Sequence, residues 1–175
     1  MLDNDIVEAA KNLLAICKRK NLLIATAESC TAGLVAGTLT EVPGTSSILD
    51  RGFITYSNEA KHEMLGVPRD ILAKHGAVSV ETAEAMARGV LGHSRVHLAV
   101  SVTGIAGPDG GSAEKPVGLV FFAGASRGGK LITSEQRYGN IGRDKVRKQS
   151  VLQAFRMLHE LAEGEASNPP HAAIN

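Results

Sequence analysis

The chain is poor in aromatic residues and close to neutral. Of its 175 residues only 3% are aromatic, Trp is absent, and the formal net charge is +1. Proteins that bind nucleic acid neutralise phosphates with many cations and stack bases on aromatic rings, so we expect no nucleic-acid partner. No apolar run has transmembrane length, and the acidic start at Asp3 and Asp5 is unlike a signal peptide. We therefore expect a cytoplasmic protein with no membrane partner.

Cysteine and metal-binding patterns are also scarce. Cys17 and Cys30 have no CxxC spacing and are too few for a disulfide framework. Cys17 lies on the apolar face of the first predicted helix, which indicates core packing. There is no HExxH motif, and His93 and His97 straddle a predicted helix-to-strand break, so they would not share a face. We predict no metal site and no cofactor.

What the sequence does contain is an alternation of helical and extended patterns. Helices are predicted at about 6–20, 31–42, 57–66, 68–74, 80–91 and 142–163, and strands at about 22–27, 52–56, 96–102, 117–125 and 130–138. This order predicts an α/β fold, a three-layer α/β/α sandwich with a mixed, mainly parallel sheet. Residues 1–163 are predicted to form a single domain and residues 164–175 a mobile tail.

Ser29 is the strongest candidate for a functional residue. It follows a short apolar strand and precedes a predicted helix that begins at Thr31, so we expect it at the first free amides of that helix. Such amides favour a substrate anion or the oxyanion of a tetrahedral intermediate. The alternative is that Ser29 only caps the helix.

A nucleophilic serine needs a base, and Lys61 is the candidate. No His closely follows a strand end, whereas Lys61 lies in the first turns of a helix just after the strand that ends at Tyr56. A lysine kept neutral by burial can take the proton of a serine hydroxyl, and Tyr56 could donate a hydrogen bond or relay a proton. The alternative is that Lys61 is a solvated helix residue and Tyr56 a half-buried strand residue.

Two further features could bind a phosphorylated ligand. The loop after the 96–102 strand carries glycines without Walker A or dinucleotide spacing, and these could admit backbone amides to a ligand or simply form turns. Arg143 and Arg147, one helical turn apart, could clamp a phosphate or could be ordinary surface arginines. The glycines concerned are Gly104, Gly107, Gly110 and Gly111.

Taken together, motifs over about residues 5–162 resemble the CinA C-terminal domain, or PncC, family of nicotinamide-nucleotide amidases. They lie at residues 28–33, 56–67, 76–79, 101–111 and 115–118. Ala32 departs from the Gly usual in the family. Some members carry an additional N-terminal domain, and nothing here corresponds to it, so the chain resembles the stand-alone form.

The resemblance implies hydrolysis of nicotinamide mononucleotide to nicotinic acid mononucleotide and ammonia in pyridine-nucleotide salvage. The serine and lysine pair of the family maps onto Ser29 and Lys61, with Tyr56 nearby. Amides near Cys30 and Thr31 are then expected to hold the oxyanion. Thr103 and the glycine loop would border the nucleotide, and one or both arginines would hold its phosphate.

Other function classes stay open at this point. The same pocket could bind a nucleotide without turning it over, in a module linked to competence or DNA damage. Phosphate-ester hydrolysis is less favoured because no carboxylate cluster for a divalent cation accompanies the arginines. A second copy of the chain is counted among the partners to be tested, since soluble enzymes of this size are often dimers.

Overall fold

The computed structural model describes residues 3–170. Within that range the helices are α1 Asn4–Lys20, α2 Leu34–Thr40, α3 Asn58–Leu65, α4 Arg69–His75, α5 Val80–Gly92 and α6 Arg143–Gly164. The strands are β1 Ile24–Glu28, β2 Leu49–Ile54, β3 Leu98–Gly104, β4 Leu119–Ser126 and β5 Leu131–Arg137, and a 3₁₀ turn spans Thr45–Ser47. Every predicted element is present in chain order, with shifts of a few residues at the ends.

The five strands form one sheet in the order β2-β1-β3-β4-β5. β1 pairs in parallel with both β2 and β3, whereas β4 is antiparallel to both β3 and β5. The predicted mixed sheet is therefore confirmed. Four strands run in one direction and only β4 is reversed, so the neighbour pairings divide evenly between two parallel and two antiparallel. The three strands that run side by side in parallel all end at the same edge of the sheet.

Helices cover both faces of this sheet, which confirms the predicted three-layer sandwich. α1, α2 and α6 enclose one core with the side chains of Val100, Val102 and Phe122. On the other face α5 packs on the sheet, with α3 and α4 beside it. There the facing residues are small, as at Ala123 and Ala125, so α5 can lie close to β4.

The helix that carries the candidate base begins at a side-chain cap. The Ser57 hydroxyl accepts a hydrogen bond from the Ala60 amide at 3.0 Å, and Ser79 caps α5 in the same way through Thr82. Both caps agree with the sequence prediction. Because Ser57 fixes the first turn of α3, Lys61 follows the end of β2 at a defined rotation about the helix axis.

The C-terminal end of the described chain is attached to the end of α1. The Lys20 ammonium, at the end of α1, donates to the carbonyls of Ala162, Glu163 and Glu165. The Asn168 amide donates to the Lys20 carbonyl at 2.8 Å. The part of the predicted mobile tail that is described is thus hydrogen-bonded to α1, and its last five residues, 171–175, lie outside the described residues.

Candidate active site

A cavity of about 280 Å³ lies at the edge where β1, β2 and β3 end. It lies beyond the carboxyl ends of parallel strands, where open α/β sheets bind their ligands. Clefts as large as about 550 Å³ exist elsewhere in the described part of the chain, but they contain neither Ser29 nor Lys61. The residues that line the 280 Å³ cavity are Ser29, Cys30, Tyr56, Lys61, Ala77, Val78, Thr103, Gly104, Ile105, Ala106, Gly107, Asp109, Gly110 and Arg143.

Ser29 and Lys61 are in direct contact in this cavity. The Lys61 Nζ atom lies 3.1 Å from Ser29 Oγ, and it also donates to the Thr55 carbonyl at 2.8 Å. The Lys61 side chain is fully buried, with 0% of its surface exposed, while 8% of Ser29 is exposed. The two side chains, 32 residues apart in sequence, therefore have the geometry of a nucleophile and its base.

Burial lowers the pKa of Lys61 from its ordinary 10.5 to about 8. An ammonium loses most of its hydration in the interior, so the neutral amine becomes easier to form. No carboxylate of residues 3–170 forms an ion pair with it, and its ammonium donates to a hydroxyl and to backbone carbonyls. Part of Lys61 is therefore the neutral amine near neutral pH, and the neutral amine is the form that a general base requires.

Glu28 occupies the helix terminus that the sequence assigned to Ser29. Helix α2 begins at Leu34 rather than at Thr31, so the expectation that Ser29 lies at the first free helix amides is wrong. The Glu28 carboxylate accepts hydrogen bonds from the amides of Gly33, Val35 and Ala36 at 2.9–3.0 Å. Since an internal carboxylate already fills this anion site, residues 29–33 form a separate turn between β1 and α2, here called the nucleophile turn.

Among the described residues, three amides of the nucleophile turn have no backbone acceptor, and one of them, that of Gly33, donates to the Glu28 carboxylate. The Ser29 amide donates to Val102 of β3, and the Ala32 amide donates back to the Ser29 carbonyl. Within residues 3–170, the amides of Cys30 and Thr31 donate to no backbone carbonyl. They are the amides that the sequence analysis expected to hold an oxyanion. The Thr31 side chain itself is buried and lies outside the cavity lining.

Cys30 lies beside Ser29 but is poorly suited to nucleophilic attack. Burial raises the pKa of its thiol from 9.0 to about 11, so the thiolate is rare at neutral pH. Cys17 is a buried core residue, as predicted, and burial raises its pKa to about 12. Of the two neighbouring side chains, the Ser29 hydroxyl is therefore the better candidate for a nucleophile.

Tyr56 and Arg143 meet at the mouth of the cavity. Arg143 Nη2 donates to the Tyr56 hydroxyl at 3.4 Å, and Nη1 donates to the Gly107 carbonyl at 2.9 Å. The Tyr56 side chain is 60% exposed, and only its backbone carbonyl faces the Lys61 ammonium. The Tyr56 hydroxyl thus contacts Arg143 and not Lys61. This contact does not match the expected proton relay between Tyr56 and Lys61.

Arg147 does not join Arg143 in a two-arginine clamp. Its Nε and Nη2 atoms donate to the carbonyls of Cys30 and Thr31 at 3.1 and 3.0 Å. It is absent from the lining of the cavity, whereas Arg143 is part of it. The two arginines do lie one helical turn apart, as the sequence indicates. The backbone carbonyls that bind Arg147, however, belong to residues more than a hundred positions away, so the sequence around Arg147 does not reveal them.

The glycine loop borders the cavity with three of its four predicted glycines. Gly104, Gly107 and Gly110 line it, whereas a side chain at Gly111 would come within 2.8 Å of the Val117 backbone nitrogen, so Gly111 permits loop packing. The Thr103 hydroxyl also lines the cavity and donates to the Ala77 carbonyl at 2.7 Å.

Sequence reasoning missed other cavity residues. Asp109 is a carboxylate inside the glycine loop, and Ala77 and Val78 precede the capping Ser79. The motifs of the sequence analysis include these stretches, but apolar and loop residues carry no chemical signal of their own.

His97, to which the sequence analysis assigns no role, accepts a hydrogen bond from the Leu23 amide through Nδ1.

Two further findings concern ligands and membranes. In residues 3–170 no three His, Cys, Asp or Glu side chains come together as a possible metal site. The helices described above include none with the length and apolar character needed to cross a membrane.

Comparisons with known proteins give a consistent result. The sequence model described as the CinA C-terminal domain matches residues 6–162. A protein named nicotinamide-nucleotide amidohydrolase PncC from Enterobacter agglomerans is 46% identical over 87% of this chain and 92% of its own length. The protein of the same name from Escherichia coli K12 is 45% identical over 90% of this chain and 95% of its own length.

Longer relatives and solved structures agree with these matches. A protein named as competence-damage inducible from Symbiobacterium thermophilum is 45% identical over 93% of this chain, which corresponds to 39% of that protein. The crystal structure of the competence/damage inducible protein CihA from Agrobacterium tumefaciens has a TM-score of 0.91 and 51% identity, covering 92% of this chain and 98% of that one. A CinA superfamily protein from Klebsiella pneumoniae has a TM-score of 0.86 and 32% identity, covering 93% and 100%.

Proposed function

The chain belongs to the CinA C-terminal domain family, and on that premise we propose that it hydrolyses nicotinamide mononucleotide to nicotinic acid mononucleotide and ammonia. The relatives named nicotinamide-nucleotide amidohydrolase support the substrate and the reaction, because they match nearly their whole length to this chain. The observation that carries the proposal within this molecule is the 3.1 Å contact between Lys61 Nζ and Ser29 Oγ in a buried site. We place the reaction in pyridine-nucleotide salvage.

In the proposed mechanism Ser29 is the nucleophile and Lys61 the base. The neutral Lys61 amine takes the proton from Ser29 Oγ while that oxygen attacks the carboxamide carbon. The C–N bond of the resulting tetrahedral intermediate breaks, Lys61 returns the proton to the departing nitrogen, and ammonia leaves. Water, deprotonated by Lys61, then hydrolyses the acyl-enzyme ester and restores the serine hydroxyl.

The oxyanion formed in each half of this reaction needs hydrogen-bond donors. The amides of Cys30 and Thr31 are the candidates, because they adjoin Ser29 and have no backbone acceptor within residues 3–170. Preorganised amides of this kind contribute about 3 to 4 kcal/mol to transition-state stabilisation. A glycine loop and Thr103 border the remaining space, which we assign to the nucleotide.

We assign the phosphate of the substrate to Arg143. Its guanidinium group lies at the cavity mouth, at the first turn of α6, where the helix dipole also favours an anion. Tyr56 contributes its hydroxyl as a neighbour of this arginine. Arg147 is not part of this assignment, since its donors already bind two carbonyls.

The test is to incubate the purified protein with nicotinamide mononucleotide and measure ammonia and inorganic phosphate together. We expect ammonia and no phosphate, with activity abolished in Ser29→Ala and largely retained in Cys30→Ala. The Ser29→Ala variant should bind the mononucleotide within a few-fold of the wild type. Phosphate release would indicate an esterase.

A second function is kept because some relatives are named as competence-damage inducible proteins. In that case the same cavity would bind the nucleotide without turnover. Binding of the mononucleotide by the wild type, with no ammonia released, would favour this function and contradict the amidase. Full activity in Ser29→Ala would instead contradict the serine mechanism alone.

A further inference from the structure

Two charged side chains form hydrogen bonds with the backbone in and next to the nucleophile turn. The Glu28 carboxylate accepts from the amide of Gly33, the last residue of the turn, and from the amides of Val35 and Ala36 in the first turn of α2. The Arg147 guanidinium donates to the carbonyls of Cys30 and Thr31 within the turn. Glu28 therefore uses backbone donors at the end of the turn and the start of α2, whereas Arg147 uses backbone acceptors of the turn.

Neither charge has the partner that a structural ion pair would give it. Glu28 is 1% exposed, and within residues 3–170 its carboxylate contacts no cation, only three amides and the Thr26 hydroxyl. Arg147 is partly buried and contacts no carboxylate in that range. Burying an unpaired charge is unfavourable, and hydrogen bonds to a charged group are the strong ones. Arg147 is therefore committed to carbonyls of the turn, and Glu28 to the last amide of the turn and the first amides of α2.

These hydrogen bonds occupy three carbonyls of the turn. The Cys30 and Thr31 carbonyls accept from Arg147, the Thr31 carbonyl also accepts from the Leu34 amide, and the Ser29 carbonyl accepts from Ala32. Because a peptide carbonyl and the following amide point in opposite directions, fixing these carbonyls also fixes the planes of the neighbouring amides. The orientation of Ser29 toward Lys61 depends on the same peptide planes.

We propose that Glu28 and Arg147 are positioning residues that hold the nucleophile turn, and with it Ser29 and the adjacent amides, in the reactive geometry. The effect that we expect on kcat rests on the proposed function, whereas the effect that we expect on the stability of the turn does not. It also separates the two arginines by role, since Arg143 faces the substrate and Arg147 acts through the turn.

Hydrogen exchange tests the structural part without reference to any activity. Arg147→Ala and Glu28→Gln should each accelerate amide exchange in peptides spanning residues 29–36 by about tenfold or more, as expected when hydrogen bonds to a charged group are lost. The matched controls are Arg156→Ala, an exposed arginine on α6, and Glu41→Gln, an exposed carboxylate that follows α2. These should leave exchange in the same peptides unchanged.

Kinetics tests the catalytic part. Arg147→Ala should lower kcat by about ten- to a hundredfold, since small displacements of a reacting group have effects of this size. The KM for nicotinamide mononucleotide should stay within about twofold of the wild-type value. The preference for the mononucleotide over its dephosphorylated riboside should also stay within about twofold. Arg147→Lys should recover only part of kcat, because an ammonium cannot bind two carbonyls in the planar geometry of guanidinium.

The outcomes separate the two proposals. Unchanged exchange at residues 29–36 in both variants overturns the positioning role, whatever the activity. A fall in the mononucleotide preference of Arg147→Ala also overturns it, because that result would make Arg147 a phosphate ligand. If exchange is accelerated in the variants but the wild type releases no ammonia, the positioning role of Glu28 and Arg147 in the turn is supported and the amidase activity is rejected.

Discussion

At the scale of the single residue, Lys61 links burial to the pH dependence of the reaction. Its pKa near 8 follows from desolvation, and only the neutral amine can accept the proton of Ser29. We predict that the rate rises about tenfold per pH unit below this pKa and levels off above about pH 8. A pH profile of kcat for the wild type measures it.

The matched substitutions are Lys61→Arg and Lys74→Arg. Guanidinium stays protonated in proteins, so Lys61→Arg should be inactive, whereas Lys74 is exposed on α4 and its replacement should leave the profile unchanged. Turnover by Lys61→Arg with an unaltered profile would show that Lys61 supplies charge rather than proton transfer.

Arg143 makes a prediction about substrate preference. Losing a hydrogen bond to a charged group costs roughly 1.5–3 kcal/mol, so Arg143→Ala should weaken use of the mononucleotide by about ten- to a hundredfold. The dephosphorylated riboside never made this contact, so its kcat/KM should change little. Comparing kcat/KM for the two substrates measures the effect. An unchanged preference would place the phosphate elsewhere, with the amides of the glycine loop as the next site to examine.

Ala32 carries backbone strain beside the nucleophile. It is in the left-handed region with φ of 48°, where a side chain costs roughly 1–2 kcal/mol. Ala32→Gly removes that strain but increases the conformational entropy of the unfolded chain, which offsets about 0.4–1 kcal/mol, so we expect a net gain in the free energy of unfolding of up to about 1.5 kcal/mol. Denaturant unfolding measures it.

The control is Ala73→Gly. Ala73 is exposed within α4, where glycine should cost about 0.5–1 kcal/mol. Equal losses in both variants would mean that Ala32 fits its conformation without strain.

At the scale of the element, α3 is held against α5 by a contact that only glycine allows. A side chain at Gly89 would clash with the carbonyl oxygen of Leu65, which is the last residue of the helix that carries Lys61. Gly89→Ala should therefore destabilise the protein by about 1–3 kcal/mol despite the better helix propensity of alanine, and should displace α3 enough to lower kcat.

Gly92, at the end of the same helix, supplies the comparison. A side chain there meets no atom within 4 Å, so Gly92→Ala should be neutral or stabilising by up to about 1 kcal/mol. Urea unfolding and kcat of both variants measure the difference. Equal stability of the two would show that α3 and α5 adjust freely to each other.

The elements also show where sequence reasoning reached the structure and where it stopped. The caps at Ser57 and Ser79 depend on local patterns and lie where the sequence predicts, and β1 ends at Glu28, directly before Ser29. β2 ends at Ile54, two residues before its predicted end at Tyr56. The predicted start of α2 at Thr31 is wrong because the small residues after Ser29 have a helical pattern. In the structure α2 begins three residues later, at Leu34, and the Glu28 carboxylate accepts a hydrogen bond from the amide of its N-cap residue, Gly33.

Long-range contacts were the other limit. The one-turn spacing of Arg143 and Arg147 is visible in the sequence, but their acceptors at Gly107, Cys30 and Thr31 are not. Likewise, the sequence placed Lys61 near the end of β2 and proposed its burial, whereas the shift of its pKa to about 8 required the packed structure.

At the scale of the whole molecule, Lys61 should make folding stability depend on pH. Between about pH 8 and 10.5 the unfolded chain binds this proton and the native protein does not, so the free energy of unfolding rises with pH in that window. Below pH 8 both states are protonated and above 10.5 neither is, so the contribution is constant there. A shift from 10.5 to about 8 corresponds to at most about 3 kcal/mol.

Comparing the wild type with Lys61→Met isolates this contribution. The methionine variant does not titrate, so the difference in unfolding free energy should change by up to about 3 kcal/mol in favour of the wild type as the pH rises from 8 to 10.5. Denaturant titrations at several pH values measure it. A difference that is flat across this window would mean that Lys61 keeps its ordinary pKa in the native state.

The packing of α6 against α1 and β3 has a consequence for protein synthesis. Ser29 and Lys61 leave the ribosome before Arg143 and Arg147, which belong to α6. A nascent chain that ends before residue 143 carries our proposed nucleophile and base without the groups that we assign to the phosphate and the nucleophile turn. Since domains generally fold as units during synthesis, the hydrolase would become competent only after α6 has been synthesised.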